Sequence, residues 1–166
     1  MAVIVQRQRN RRIDALVDRI RTRLGNETIP MGPASARASL KHLRAGGVLG
    51  VLADQSGPKE SIYIDFFGRP AATHRGVAAL ALRNRTPIVM AFLIRAHDGI
   101  YDVHFEPLPF DDLAEYSEEH IAELTRRHVG VLERMIRLHP DHWLWMHKRW
   151  KHTAHGHAPV GSDPDP

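Results

Sequence analysis

The chain has 166 residues, 43% of them hydrophobic and 25% charged, and its 23 Lys and Arg against 19 Asp and Glu give a formal net charge of +4. That length carries a core of ordinary size, and the lack of any cysteine excludes a disulfide framework, a thiolate metal site and a thiol nucleophile. No stretch is long and apolar enough to span a bilayer, and MAVIVQRQRNRR holds too few apolar residues for a signal-peptide core.

The positive charge is concentrated early: Arg7, Arg9, Arg11, Arg12, Arg19, Arg21 and Arg23 crowd the first two dozen positions. Such a face suits phosphate-rich partners, whether lipid headgroups, an acidic carrier protein or nucleic acid, and equally suits a solvated helix side. From Asn10 to Leu24, Ile13, Leu16, Val17, Ile20 and Leu24 recur at three- and four-residue spacing before Gly25-Asn26, which predicts an amphipathic helix. A short strand at Glu27–Ile29 and a second helix at Ala34–Ala45 follow, the latter stopped by Gly46-Gly47.

Val48–Ala53 reads as a continuous apolar strand, the kind buried on both faces of an αβα sandwich. It ends on Asp54 and Gln55. Ser61–Phe67 is a further predicted strand, and Thr73 is placed to cap a helix running to Asn84. Pro87–Arg95 is the most strand-like stretch, and Asp98-Gly99 predicts a hairpin returning through Tyr101–Glu106, with Tyr101, Val103 and Phe105 alternating against Asp102, His104 and Glu106.

Ser117–His139 is the longest predicted helix, with Ser117 as N-cap, Glu118 and Glu119 in the first turn and Pro140 beyond its end. The closing HTAHGHAPVGSDPDP is poor in apolar residues and is expected to be disordered. The pattern predicts one α/β domain over residues 1–151 with a mixed, mostly parallel sheet, followed by a tail at 152–166.

In open α/β sheets, functional groups collect beyond the carboxyl ends of strands, where Asp54 and Gln55 are predicted to lie. The segment RAGGVLGVLADQSGPKESIYIDFFGRPAATHRG, the strand after it, and HPDHWLWMHKRWK resemble the lipid A biosynthesis acyltransferases and the related phosphatidylinositol mannoside acyltransferases. The resemblance spans about residues 3 to 151, and its most specific pieces are the Asp54-Gln55 strand end, Phe66–Gly76 and Trp143–Lys151.

The resemblance implies a glycerol-3-phosphate-acyltransferase-like αβα fold, in part. It also implies transfer of a fatty acyl chain from an acyl carrier protein thioester to a hydroxyl of a membrane glycolipid, at the cytoplasmic face of the bacterial inner membrane. No metal and no diffusible cofactor is implied. In that family a His-x4-Asp/Glu pair does the proton chemistry, upstream of the segment with which this chain begins, so the chain resembles the C-terminal part of the enzyme and is expected to be inactive in isolation.

Two pairs here have that spacing. His128 and Glu133 fall within a helix, where five residues leave side chains roughly 140° apart. His97 and Asp102 flank an exposed turn, which offers neither an acyl groove nor oxyanion donors. Asp54 therefore heads the candidate catalytic residues, its alternative role being a strand-end cap for backbone N–H groups. The family has an arginine in its second motif, whose counterpart is Arg7 or Arg23; Arg7 is carried as the candidate.

Gln55 suits a carbonyl or a sugar hydroxyl, and Arg69, Thr73 and Arg75 crowd a predicted helix start that favours phosphate. Arg149, among His147, Lys148, Lys151 and the indoles of Trp143, Trp145 and Trp150, suits a membrane interface or a headgroup, while the tryptophans serve equally well to pack the chain end. The competing expectation is a non-catalytic basic module that binds acyl carrier protein or anionic lipid. No helix-turn-helix, zinc-finger or RNA-recognition signature supports nucleic acid.

Overall fold

A computed structural model describes residues 1–152. The tail predicted to be disordered lies, apart from His152, outside the described residues. The chain packs as two units, Met1–Leu52 with Arg83–Thr86, and Ala53–Leu82 with the chain from Pro87 onward.

In the first unit three parallel strands lie in the order β2-β1-β3, with β1 at Ala2–Val5, β2 at Glu27–Pro30 and β3 at Leu49–Gly50. Ala2 is the meeting point, opposite Glu27 on one side and Leu49 on the other. The intervening helices are α1 at Arg11–Thr22 and α2 at Ser35–Arg44, each close to its predicted span. Asn10 caps α1, its Oδ1 accepting the Arg12 N–H at 2.9 Å and the Ile13 N–H at 3.4 Å.

The long doubly buried strand predicted at Val48–Ala53 is not formed. Only Leu49 and Gly50 pair, with a neighbour on one edge alone, and the run beyond them leaves the sheet, so Val48 and Leu52 are 64% and 86% exposed. Val48 and Leu52 lie outside the two paired residues, where no described element packs over them.

The second unit holds two antiparallel hairpins, β4 (Ile62–Phe66) with β5 (Arg69–Thr73), and β6 (Ile88–Arg95) with β7 (Tyr101–Leu108). Thus three separate sheets stand where one mixed sheet was predicted, although the α/β class holds. β5 occupies residues read from the sequence as loop and helix cap. Its chain is reversed by Phe67 and Gly68, both at positive φ (52° and 73°), the two-residue turn whose twist matches paired strands. Thr73 consequently ends a strand and does not cap α3, which runs from Gly76 to Asn84.

α4, Glu118–Leu138, is capped by Ser117, whose Oγ accepts the His120 N–H at 3.1 Å. It is long enough to serve two apolar clusters. Ile121, Leu124 and Val131 meet Ala78, Leu82 and Leu108, while Val129, Leu132 and Ile136 meet Ile64, Phe66 and Ala71. Arg127 ties the preceding loop to this helix through Asp112, at 2.5 Å, and Glu123, at 3.0 Å. The predicted hairpin at Asp98-Gly99 forms, but its alternation does not bury Tyr101, Val103 and Phe105, which remain 51%, 48% and 69% exposed. The cores are filled instead by Ile88, Met90 and Phe92 from the opposite face of β6.

Candidate functional site

The β4–β5 hairpin, the 53–57 loop, the middle of α4 and the chain after α4 converge on one charged side chain, that of Arg149. Beyond the 3-10 turn at Pro140–His142, short-range bonds coil the backbone, with the His147 N–H reaching Leu144 O at 3.0 Å and the Arg149 N–H reaching His147 O at 2.8 Å. This coil lays Trp143 and Trp150 on Phe66, with ring centroids at 5.8 and 5.4 Å, and turns Arg149 inward until it is 1% exposed.

The guanidinium is held from several sides. Its Nη1 donates to the Ala72 carbonyl and its Nη2 to Thr73 Oγ1, each at 2.7 Å, and its Cζ lies 5.0 Å from the Phe66 ring centroid. Thr73 in turn donates its hydroxyl to Ala71 O at 2.9 Å, which leaves its lone pairs for the arginine. Burial still lowers the Arg149 pKa from its ordinary value, and the carboxylate of Asp54 opposes that drop. Nε of Arg149 is buried and meets no acceptor among the described residues.

His128 faces the same interior. It is 4% exposed, and its Nε2 also lacks a partner among the described residues. Burial first, and the Arg149 charge second, push its pKa down to about 4, against a smaller opposing effect of hydrogen bonding with the Ala53 backbone. His74, next along the chain from Thr73, is likewise lowered by burial and then by Arg149 and Lys151. The site is therefore a fixed cation flanked by two imidazoles held neutral at pH 7, with a half-buried carboxylate as counter-charge.

The loop carrying Asp54 is anchored just downstream. The Ser56 N–H donates to His147 Nε2 at 3.1 Å and the Gly57 N–H to Ala72 O at 2.8 Å. Gly57 is required by closeness: a Cβ there would stand 2.5 Å from Ser61 Oγ and 3.1 Å from the His74 backbone nitrogen.

The sequence-predicted site residues divide accordingly. Thr73 and Arg149 are hydrogen-bonded, the half-buried Asp54 acts on Arg149 through its charge at longer range, and Gln55 lies exposed beside Asp54. Arg69 is exposed at the start of β5, 5.2 Å over the Trp150 ring. Arg75 stands at the start of α3, its carbonyl accepting the Ala79 N–H at 3.0 Å, and its guanidinium is bound to Glu118 of α4 at 2.6 Å, which raises its pKa. Arg7 is exposed in the first unit, between β1 and α1. Trp145 is 55% exposed at the rim, donating its indole N–H to Pro140 O at 2.7 Å, whereas Trp143 and Trp150 pack the second apolar cluster.

His128 and His147 were not read from the sequence as members of this site. The signal for His128 was its place among Leu124, Val131 and Leu132 on the apolar face of a helix, where an imidazole has to be explained. Its spaced partner Glu133 instead accepts the Phe67 N–H at 2.7 Å. His97 and Asp102 are both exposed.

Other histidines are committed to structure. His142 accepts the Arg95 N–H on Nε2 at 2.9 Å, which puts its proton on Nδ1, facing Asp141 Oδ1 at 3.1 Å. Among the described residues no group of three or more His, Asp or Glu side chains is placed to hold a metal ion.

No curated protein matches the chain significantly. Compared with protein families, residues 1–152 match the one described as bacterial lipid A biosynthesis acyltransferase. The match covers every described element, including the loop, hairpin and coil that surround Arg149. On that match, the chain belongs to the bacterial lipid A biosynthesis acyltransferase family.

Proposed function

We propose that this chain forms the substrate-positioning part of an acyl-transfer site that moves a fatty acyl chain from an acyl carrier protein thioester to a hydroxyl of a membrane glycolipid. The setting is the cytoplasmic face of the bacterial inner membrane and the architecture a partial glycerol-3-phosphate-acyltransferase-like αβα sandwich. The observation that carries this reading is Asp54 set against the buried Arg149, within a chain whose family transfers acyl groups. In such a transfer the hydroxyl oxygen bonds to the thioester carbonyl carbon, the C–S bond breaks, and the hydroxyl proton passes through a base to the departing thiolate. Asp54 orients the acceptor hydroxyl; Gln55 and Arg69 contact its polar groups.

Among the described residues, four histidines are not set up to be the base. His142 and His147 each use Nε2 as an acceptor, His128 is buried beside a cation, and His97 stands at an exposed turn. We therefore expect the isolated chain to bind its substrates without turning them over. The test is incubation of the purified chain with an acyl-loaded carrier protein and a glycolipid acceptor, reading carrier binding and glycolipid binding by fluorescence anisotropy and acylated product by mass spectrometry. Carrier binding without product, and glycolipid binding weakened by Asp54→Ala, is the expected outcome. Product formation abolished by His97→Ala would overturn the inactivity and place the chemistry at the β6–β7 turn.

A second reading, a basic module that binds carrier protein or anionic lipid and has no part in catalysis, is favoured by the arginine-rich α1. It differs in predicting that Asp54→Ala leaves all binding unchanged.

A further inference from the structure

α1 is an amphipathic helix whose apolar side faces away from its own unit. None of its residues is buried, and Ile13, Leu16, Ile20 and the following Leu24 are 50%, 54%, 64% and 85% exposed. At about 100° per residue these four fall within about 80° of arc. The helix is held by its other edge: Asp14 Oδ1 accepts the Gln8 N–H at 2.7 Å, and Asp18 Oδ1 accepts the Thr28 hydroxyl at 2.8 Å. Both carboxylates of α1 are thus turned away from the apolar arc. Arg12, Arg19 and Arg23 follow one another along the border of that arc, all exposed.

We propose that this face of α1 docks on an anionic lipid surface, with Ile13, Leu16, Ile20 and Leu24 entering the acyl boundary and Arg12, Arg19 and Arg23 on the phosphates. The aliphatic arc demands an apolar medium and the adjacent arginines a layer of negative charge a few ångströms away; an anionic bilayer interface presents both in that order. Acidic carboxylates on a protein would satisfy the arginines while leaving the four-residue arc only partly covered. Arginine is suited to the border, because its stem lies along apolar surface while its guanidinium reaches the headgroups. The proposal stands on the geometry of α1 and is independent of catalysis.

The experiment is co-sedimentation of the full chain with phosphatidylcholine vesicles containing about 30 mol% phosphatidylglycerol, which gives them a negative surface potential, and with pure phosphatidylcholine vesicles, which lack one. Binding to the anionic vesicles alone, reduced by raising the salt, is expected. Leu16→Asp and Ile20→Asp should each weaken binding at least about tenfold, and the triple change Arg12→Gln, Arg19→Gln, Arg23→Gln on the order of a hundredfold. Arg44→Gln, an exposed arginine of α2, should have little effect, and circular dichroism checks that each variant keeps its helices.

Equal binding to both vesicle types, or binding that ignores Leu16 and Ile20, would overturn the proposal. So would absence of binding to the anionic vesicles, whether acyl carrier protein is captured by the same arginines, a concentration-dependent dimer is broken by Leu16→Asp, or neither is seen. Because the readout is sedimentation, failure here leaves the acyl-transfer reading untouched, and an inactive chain that still binds anionic vesicles supports this one.

Discussion

Arg149 is a fully buried cation in a unit that offers it two neutral oxygen acceptors, an aromatic face and one carboxylate at longer range. Removing an ion from water costs several kcal/mol, so these partners offset a penalty before they add any net stability. What the arrangement supplies is definition: the guanidinium joins the end of β5 to the coil after α4 and fixes the charge that Asp54 faces. Arg149→Met should destabilise the second unit by about 1 to 2 kcal/mol, because the loss of charged hydrogen bonds and of the aromatic contact is offset in part by the relieved desolvation, and Ala72 O keeps the Gly57 N–H. Arg149→Lys should recover only part of this, because an ammonium cannot reach Ala72 O and Thr73 Oγ1 as a planar fork does. Urea unfolding of the three proteins decides it, and a Lys variant as stable as the wild type would show that charge alone matters. In Arg149→Met the His128 pKa should also rise, since one cause of its depression is gone; proton NMR titration of the imidazole reads this directly.

At the scale of elements, the β4–β5 hairpin is the piece that builds the site, and its turn is chemically unusual. Phe67 occupies a left-handed position where asparagine or glycine is at home, and is kept there by Glu133 accepting its N–H, by the Phe66 ring edge-on at 4.8 Å and by the Arg137 guanidinium at 4.7 Å from its centroid. Gly68, at φ 73°, has nothing within 4 Å of where a Cβ would lie, so Gly68→Ala tests backbone conformation free of crowding. It should cost about 1 to 2 kcal/mol, the cost of a left-handed alanine, again read by urea unfolding; a neutral result would mean the turn can change type without disturbing the strands.

The same hairpin shows where the sequence was legible. α1, α2, α4, β2, β4, β6 and the Asp98-Gly99 turn follow from spacing and caps, because each is decided by residues near in the chain. β5 was missed because RPAAT has little strand propensity and contains a proline, tolerated at Pro70 on an edge strand opposite Asp65. Val48–Ala53 was overread because apolarity signals burial only where a partner is present. Asp54, Thr73 and Arg149 were each singled out, but not that they share a site, since residues far apart in the chain are joined by the hairpin, which sequence pattern did not reveal.

For the whole molecule, the two units differ in what they report and in what acid does to them. All three tryptophans lie in the second unit, at Trp143, Trp145 and Trp150, and two of them pack on Phe66 beside Arg149, so indole fluorescence follows the unfolding of that unit alone. Within it His128 is depressed to about 4 while an unfolded histidine titrates near about 6.5. Between these values the unfolded chain takes up a proton that the folded unit refuses, so acid favours unfolding. His128 thus contributes stability that is fully present above about pH 6.5 and declines as the pH falls toward 4, by up to about 3 kcal/mol. His74, lowered for the same leading reason, acts in the same direction. Asp112, held down to about 2 by its hydrogen bond to Arg127, and Glu123 and Asp141, held below the usual carboxylate range by Arg127 and His142, also lose stability on acidification, but chiefly at the lower end of the window and below it. Fluorescence-detected urea unfolding from pH 7 to 4.5 should therefore show a steady loss of stability, and His128→Leu should flatten that slope, the variant giving up the hydrogen bond to the Ala53 backbone but leaving no group that titrates there. An unchanged slope in the variant would assign the acid sensitivity to His74 or to the paired carboxylates Glu123, Asp141 and Asp112, and the double change His74→Leu, His128→Leu would tell them apart, flattening the slope only in the first case.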